Sequence, residues 1–440
     1  MPLRLPLRLL AAGALLLLSP VFAGAAESPV KTSAQVLPLV LKGKDVAPFL
    51  GVNLLGLSAF SCAEGRVKPL LFQADEINAE GRYVSVDSEG RLAKDTAPGI
   101  LDENDELAFM LRDLGEPCPP PVLTEARGRL LAVQVQPAYA PQAVSLYLLA
   151  GETRFVPAGA NVQYSPASQI ISTAAYEWGY EPEQPFLYKR NVFHDLEGRS
   201  QEDILDRLKV RFNVRALKSL IRLRLSEEDF KSRLAGVRTG PIRIVRELDL
   251  EVTPVPGMTL HPVVTFTNYE RLWHAHVRFK FPAPAALFTT SMDVSLIHDF
   301  TDLRGLRFST SALPQGTIVD GRMIEQDRSI AFGPEPWYMV TGGGLNYLVA
   351  IDLDKSLDLT AAATFDDTTV SSDPPEEVPG ALPAIGYQFL GWENLEARWY
   401  GFSANIALLP RFPEGGGSGF YRTLHAPVKI QAEEIKGAVP

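Results

Sequence analysis

Short apolar or alternating runs, punctuated by turn-forming residues, constrain this chain more than any other feature. Examples are QVLPLVL, GRLLAVQVQP, AVSLYLLA, IRIVRELDLEV, PVVTFTN, AHVRFKF, YLVAIDL and ARWYGFSANIALL. They are rich in Val, Ile, Leu, Phe and Tyr, and clusters of Gly, Pro, Asn and Asp separate them. Successive side chains of a strand point to opposite faces, so runs of this length and period read as half-buried strands. Long helical periodicity is scarce. The expected fold is all-β (mainly β), with two β-sandwich-like domains and few short helices. GYEPEQPFLYKRNVFHDLEG breaks the strand rhythm and sets the expected boundary, giving domains at 30–185 and 190–410. A glycine-rich loop, RFPEGGGSGFYR, and a C-terminal tail, 411–440 in all, would follow, with LHAPVKIQAE as a candidate for a returning last strand. No repeat of fixed period speaks for a propeller or solenoid.

One segment carries both periods. SQEDILDRLKVRFNVRALKSLIRLRLSEEDF opens with Ser200 and Asp203 at capping-box spacing, then alternates through Val210, Phe212 and Val214, and again through Ile221, Leu223 and Leu225. The reading is a helical turn near 200–206 followed by two antiparallel strands.

The first residues resolve into a secretory signal. Arg4 and Arg8 precede an apolar run from Leu9 to Leu18, then Pro20 and the small cluster Ala23-Gly24-Ala25-Ala26. Cleavage near Ala25 or Ala26 implies a periplasmic or extracellular protein, with the signal at 1–26. No later run reaches the length of a membrane-spanning helix. Thirty-five prolines and the ending EEIKGAVP speak against a closed outer-membrane barrel. Removing two arginines with the signal takes the net charge from −10 to −12, an acidic balance that disfavours nucleic acid as a partner.

The two cysteines, Cys62 and Cys118, are most simply one disulfide in an oxidising compartment. Two buried thiols or a metal pair are the rival readings.

Charge is unevenly spread. Asp75 to Glu116 holds 12 acidic and 4 basic residues, whereas Arg207 to Arg246 holds 12 basic and 3 acidic. On neighbouring strands Arg211 and Arg215 share a face, as do Arg222 and Arg224, which would suit an anionic polymer or an acidic envelope protein. The plainer readings are a wet outer face, or mutual neutralisation of the two segments.

Two patterns raise the question of a metal. Asp102, Asn104, Asp105 and Glu106 bunch oxygen atoms as calcium requires, yet Leu107 stands where an EF-hand needs glycine, and a turn explains the same residues. In RLWHAHVRFKF, His274 and His276 point to one strand face and could share zinc, with His298 of SLIHDF as a third ligand. The plainer reading places both histidines on a sheet face with Trp273 and Val277 in the core. No cofactor is implied beyond these calcium or zinc readings. The chain has no G-x-S-x-G, P-loop, dinucleotide or C-x-x-C-H motif.

GVRTGPIRIVREL at 236–248, LDENDELAFMLRD at 101–113 and FDDTTVSSDPPEEVPGALPAIGY at 365–387 together resemble a group of exported bacterial β-rich proteins with no assigned activity. The resemblance implies an exported chain of one architecture and brings no catalytic residue. Two functions stand against each other. The first is a non-catalytic binding or assembly protein of the cell envelope, using the arginine face. The second is a polysaccharide-active lyase or hydrolase, with Trp337, Tyr338, Trp392 and Trp399 lining a sugar groove and His274, His276 or the Asp366/Asp367 pair supplying acid–base chemistry.

Overall fold

The computed structural model describes residues 35–435, apart from 88–89, 91, 125–126, 152–156, 217–219, 371–372 and 374–377. The signal segment, Glu376 and Glu377 lie outside the described residues. The fold is mainly β, as the alternating runs require, and its centre is a sandwich of two antiparallel sheets.

The smaller sheet holds β1 (Leu205–Ala216), β2 (Ile221–Ser226), β7 (Ser291–Phe300), β12 (Thr360–Asp366) and β13 (Ala384–Leu390), in the order β2-β1-β7-β13-β12. The larger holds β3 (Lys231–Thr239), β4 (Ile244–Val255), β5 (Val263–Asn268), β6 (Leu272–Lys280), β8 (Arg307–Thr310), β9 (Thr317–Ile318), β10 (Trp337–Gly342), β11 (Leu345–Leu353) and β14 (Trp399–Leu408). Its order is β3-β4-β5-β6-β14-β11-β10-β8-β9, with the short strand Met258–Leu260 pairing beside β4. Each inner face follows the period-two pattern. On β6, Trp273, Ala275 and Phe279 pack into the core, while the other parity, from His274 to Lys280, faces away from it. A four-stranded sheet from Val162 to Phe193 adds Tyr176, Trp178 and Tyr180 to the same core.

A second, smaller body precedes it. The strands Pro38–Lys42, Glu106–Met110 and Gln73–Asp75 pack over a five-stranded sheet whose order is Val428–Glu434, Arg129–Pro137, Val144–Ala150, Leu57–Ala63, Arg66–Pro69. Cys62 and Cys118 form the disulfide across this body, with Cα atoms 5.2 Å apart and a sequence separation of 56. A loop of that length corresponds to about 4 kcal/mol on the chain-entropy model.

Three expectations change. The strands from 162 to 193 pack with the large sandwich and share its core, across the boundary expected at 180–200. The glycine-rich part of the segment after 410 is not a loop, whereas the strand expected in LHAPVKIQAE does form. Gly416–Leu424 is a helix (α1), and Val428–Glu434 pairs along its whole length with Arg129–Pro137. No helical turn forms near 200–206, because Asp203 spends its carboxylate on the backbone N–H groups of Asn191 and Leu205 and leads straight into β1.

The two bodies are joined through the outer face of the larger sheet. Met339, Leu348, Ala350 and Ala407 on that face share a core with Leu107, Phe109 and Leu131. Beside this apolar contact lies a buried ionic cluster. Asp75, fully buried, accepts from Arg238 Nε at 2.8 Å and Arg243 Nε at 2.9 Å, and Arg243 also donates to Glu106 at 2.6 Å and to the Tyr269 hydroxyl at 3.2 Å. The side-chain carbonyl of Gln73 accepts from the backbone of Ile242 and Arg243. The acidic and basic segments of the sequence therefore meet here. Removing one partner of such a buried pair leaves the other charge stranded, at a cost of about 3–5 kcal/mol. We expect Asp75→Ala to lower the urea unfolding free energy by roughly that amount, whereas exposed Lys231→Ala, which breaks a surface pair with Glu251, changes it by less than about 1 kcal/mol.

Candidate active site on the outer face of the large sheet

Strand register assembles the site. Glu247 on β4 lies opposite Thr265 on β5, Thr265 opposite His276 on β6, His276 opposite Ser403 on β14, and Ser403 opposite Asp352 on β11. One row further along, Thr267, His274, Asn405 and Ala350 are aligned in the same way. All these residues have the parity that faces away from the sandwich core, so five adjacent strands form one polar floor. At about 4.8 Å per strand, the Cα atoms of His276 and Asp352 are about 10 Å apart and those of Glu247 and Asp352 about 19 Å.

The hydrogen bonds fix protons. Asn405 Nδ2 donates to Asp352 Oδ2 at 3.2 Å, which turns its Oδ1 toward His274 Nδ1 at 2.8 Å. An amide oxygen only accepts, so His274 carries its proton on Nδ1 and presents Nε2 as an unprotonated base. His276 Nδ1 meets the Ser403 hydroxyl at 3.0 Å. Neither Nε2 atom has a hydrogen bond among the described residues. Burial, opposed by Asn405 and Asp352, lowers the His274 pKa. Burial, His274 and Arg278 lower that of His276. Both rings are therefore neutral near pH 7, the state a general base needs.

A third histidine closes one side. His425, just past α1, uses Nδ1 on the Tyr421 carbonyl at 2.6 Å and Nε2 on Asp352 Oδ1. Both partners only accept, so both nitrogens are protonated and His425 is an imidazolium paired with Asp352. Burial works against that charge, but the bonds to Asp352 and Tyr421 outweigh it and raise the pKa. The result is a continuous chain, His425–Asp352–Asn405–His274, in which a charged pair orients an amide and the amide sets a base.

Toward the open end of β6 and β14 the same face carries Arg278 and Lys280, both exposed, with Gly401 and Trp399 opposite them. Trp399 is 53% exposed, and the Arg278 guanidinium sits 5.5 Å from its ring centroid. Gly401 leaves the floor low beside His276: a Cβ there would lie 3.6 Å from His276 Cε1. At the other edge Glu247 is buried beneath the loop bearing Arg82 and Tyr83, and burial pushes its carboxyl up to about 7.

The other sequence candidates lie elsewhere. Of the four aromatic residues named for a groove, Trp337, Tyr338 and Trp392 are buried and only Trp399 is exposed. Asp367 is buried, accepting from the backbone of Asp320 and Gly321, and Asp366 holds Thr368. His298 is on β7 of the opposite sheet, bonded to the Tyr338 hydroxyl at 2.8 Å, and does not join His274 and His276. It lines an inter-sheet cavity of about 130 Å³ whose other walls are Phe266, Trp273, Phe389 and similar residues. Burial pushes that imidazole down to about 4, and the space is of the size that holds one aromatic ring, too small and dry for a sugar. Among the described residues no three His, Cys, Asp or Glu side chains gather as a metal would need.

Asp102, Asn104 and Asp105 staple a turn. Asp105 accepts from the N–H groups of Ile77 and Asp102, Asp102 accepts from that of Asn104, and the Asn104 amide donates to the Ile77 and Asn78 carbonyls. Their oxygens thus face N–H donors.

The four arginines are not one free basic face. Arg211 is buried and paired with Glu227 and Asp373, and Arg224 pairs with Asp373. Arg215 and Arg222 face each other across β1 and β2 at a polar depression of about 360 Å³ that also has Asn213, Asp293 and Gln388 in its wall.

No protein-family model matches the chain, and no curated protein matches its sequence. Among solved structures, an alpha-mannosidase from Enterococcus faecalis aligns with TM-score 0.38 and 9% identity over 91% of this chain, which spans 44% of that enzyme. A protein from Synechocystis aligns with TM-score 0.34 and 10% identity over 58% of this chain and 97% of its own. A copper-containing benzylamine oxidase from Hansenula polymorpha gives TM-score 0.32 and 10% identity over 82% and 80%. These likenesses fall short of a shared fold and assign nothing to the chain.

Two titrations follow from the geometry. Glu247 keeps its proton in the folded protein up to about pH 7, while the unfolded chain releases it near the ordinary carboxyl value of 4.5. Stability therefore falls as pH rises through that window, and Glu247→Gln is expected to flatten the fall in urea titrations at stepped pH. Arg278→Gln removes a like charge beside His276, so the His276 ring protons should titrate at higher pH in NMR spectra.

Proposed function

We propose that the protein is an exported carbohydrate-active enzyme whose acid–base chemistry is carried by His274 and His276. The observation that carries this reading is the chain His425–Asp352–Asn405–His274, which orients a half-buried imidazole base on a polar sheet face whose exposed end bears Trp399. A polar network that fixes one tautomer of a neutral histidine serves proton transfer. An exposed tryptophan offers an apolar face to the C–H face of a sugar ring, and Ser403 and Thr265 offer hydroxyl partners for its oxygens. In this reading His274 Nε2 takes the proton, His276 exchanges one with the leaving or ring oxygen, and Asp352 and His425 are positioning residues.

The spacing also selects among reactions. Paired-carboxylate hydrolysis needs two carboxyl groups within about 10 Å, whereas Glu247 and Asp352 stand about 19 Å apart on parallel-pointing side chains. Histidine-driven proton transfer, as in a lyase or a ring-opening isomerase, fits this floor better than carboxylate-pair hydrolysis.

The test is a panel of neutral and charged oligosaccharides, followed by NMR for new unsaturated ends, new reducing ends and anomeric exchange. His274→Ala should abolish turnover while leaving binding within about threefold, and Trp399→Ala should weaken binding by about tenfold. Turnover that survives both His274→Ala and His276→Ala would sink the assignment.

A second reading keeps a specific observation of its own. Arg215 and Arg222 flank the depression on the smaller sheet, a shape and charge suited to docking an anionic polymer or envelope protein. Loss of heparin-type binding in the Arg215→Gln/Arg222→Gln variant, with groove turnover intact, would establish it as a separate site.

A further inference from the structure

We infer that the exposed end of the polar face on the large sheet takes an anionic saccharide, a uronate-type sugar whose carboxylate is held by Arg278 and Lys280 while its ring lies against Trp399. This inference rests on the carbohydrate reading above and names its substrate class.

Charge bookkeeping around the open end carries the argument. On β4, Asp249 is held by Arg82 and Arg233, each at 2.5 Å, and Glu251 by Lys231 at 2.6 Å. On β11, Asp352 is committed to His425 and Asn405. Past the end of β11, Asp354 accepts from the backbone of Ser356 at 2.8 Å. That Ser356 bond, which also involves its side chain, lowers the Asp354 carboxyl, and Arg398 adds to the effect. The acids on both flanks are therefore engaged locally, whereas Arg278 and Lys280 have no acidic partner within salt-bridge distance among the described residues.

Their placement is as informative as their charge. His276, Arg278 and Lys280 lie two residues apart on one strand face, about 7 Å from one to the next. Gly401 and Trp399 lie directly across from Arg278 and Lys280, so a ring resting on Trp399 brings its substituents level with both cations and directs the rest of the saccharide along the strand toward His276. The guanidinium lies over the indole, 5.5 Å from its ring centroid, at the place where a carboxylate on that ring could be met in the bidentate manner that suits arginine. In a chain whose formal net charge is −10, a cationic pair at the exposed end of this face gives a negatively charged saccharide a favourable place to land.

The experiment is calorimetric titration of the full chain with an oligouronate and with a neutral oligosaccharide of equal length, at low and at physiological salt. Arg278→Gln/Lys280→Gln is expected to weaken oligouronate binding by about tenfold or more. It should also erase most of the salt dependence and leave neutral-sugar binding unchanged. Both side chains are exposed, so the variant folds as the parent does, which circular dichroism checks. If the neutral sugar binds as tightly and the double variant changes nothing, the inference is overturned while the carbohydrate reading stands. If uronate binding is lost in Arg215→Gln/Arg222→Gln instead, the anion site is on the smaller sheet and the inference is likewise overturned. If neither sugar binds and Trp399→Ala is silent, the carbohydrate reading falls with it.

Discussion

The buried cluster of Asp75 with Arg238 and Arg243 holds the rest of the arrangement in register. An isolated carboxylate would not survive in that position, since its desolvation cost exceeds what any single hydrogen bond returns. Two guanidinium groups and the Gln73 amide donate to it instead, and Arg243 donates in turn to the Tyr269 hydroxyl. Because the arginines belong to the large sheet and Asp75 to the preceding body, the cluster has one satisfied geometry. It fixes where the loop bearing Arg82 and Tyr83 lies over β4 and so buries Glu247 at one edge of the polar floor. Apolar contact through Met339, Leu348 and Ala407 supplies area, but an apolar face tolerates sliding that a buried ionic cluster does not.

Much of this was legible in the chain. Period two in LWHAHVRFK puts His274, His276, Arg278 and Lys280 on one face and Trp273 and Phe279 on the other, and the strand obeys it. The same rule applied to WYGFSANIAL groups Trp399, Gly401, Ser403 and Asn405. What the pattern could not supply was which strands are neighbours. Asn405 is 131 residues from His274, Asp352 is 53 from Asn405, and antiparallel pairing at such separations leaves no local trace. His425 was hidden further, since it reaches the floor from a helix terminus in a segment that reads as a glycine-rich tail.

The charge segments show the opposite error. Counting acids and bases rightly signalled that something was unbalanced, but a count does not know burial. Arg211 and Arg243 are among the buried residues, and their charge is spent inside the protein. Arg278 and Lys280 drew no notice because they sit alone in an apolar run, yet it is they that stand in solvent beside the histidines. For a binding surface, isolation from acids matters more than local density of bases.

The strand Val428–Glu434 completes a sheet whose other members lie before residue 151. Such a sheet cannot close while the chain is still emerging: Arg129–Pro137 must wait as an open edge until nearly three hundred further residues have been made. α1 and His425 are carried in on the same returning segment. His274 therefore acquires its full set of partners only at the last step of assembly, so a nascent or truncated protein would hold the sheet face but not the hydrogen-bonded chain that reaches His425.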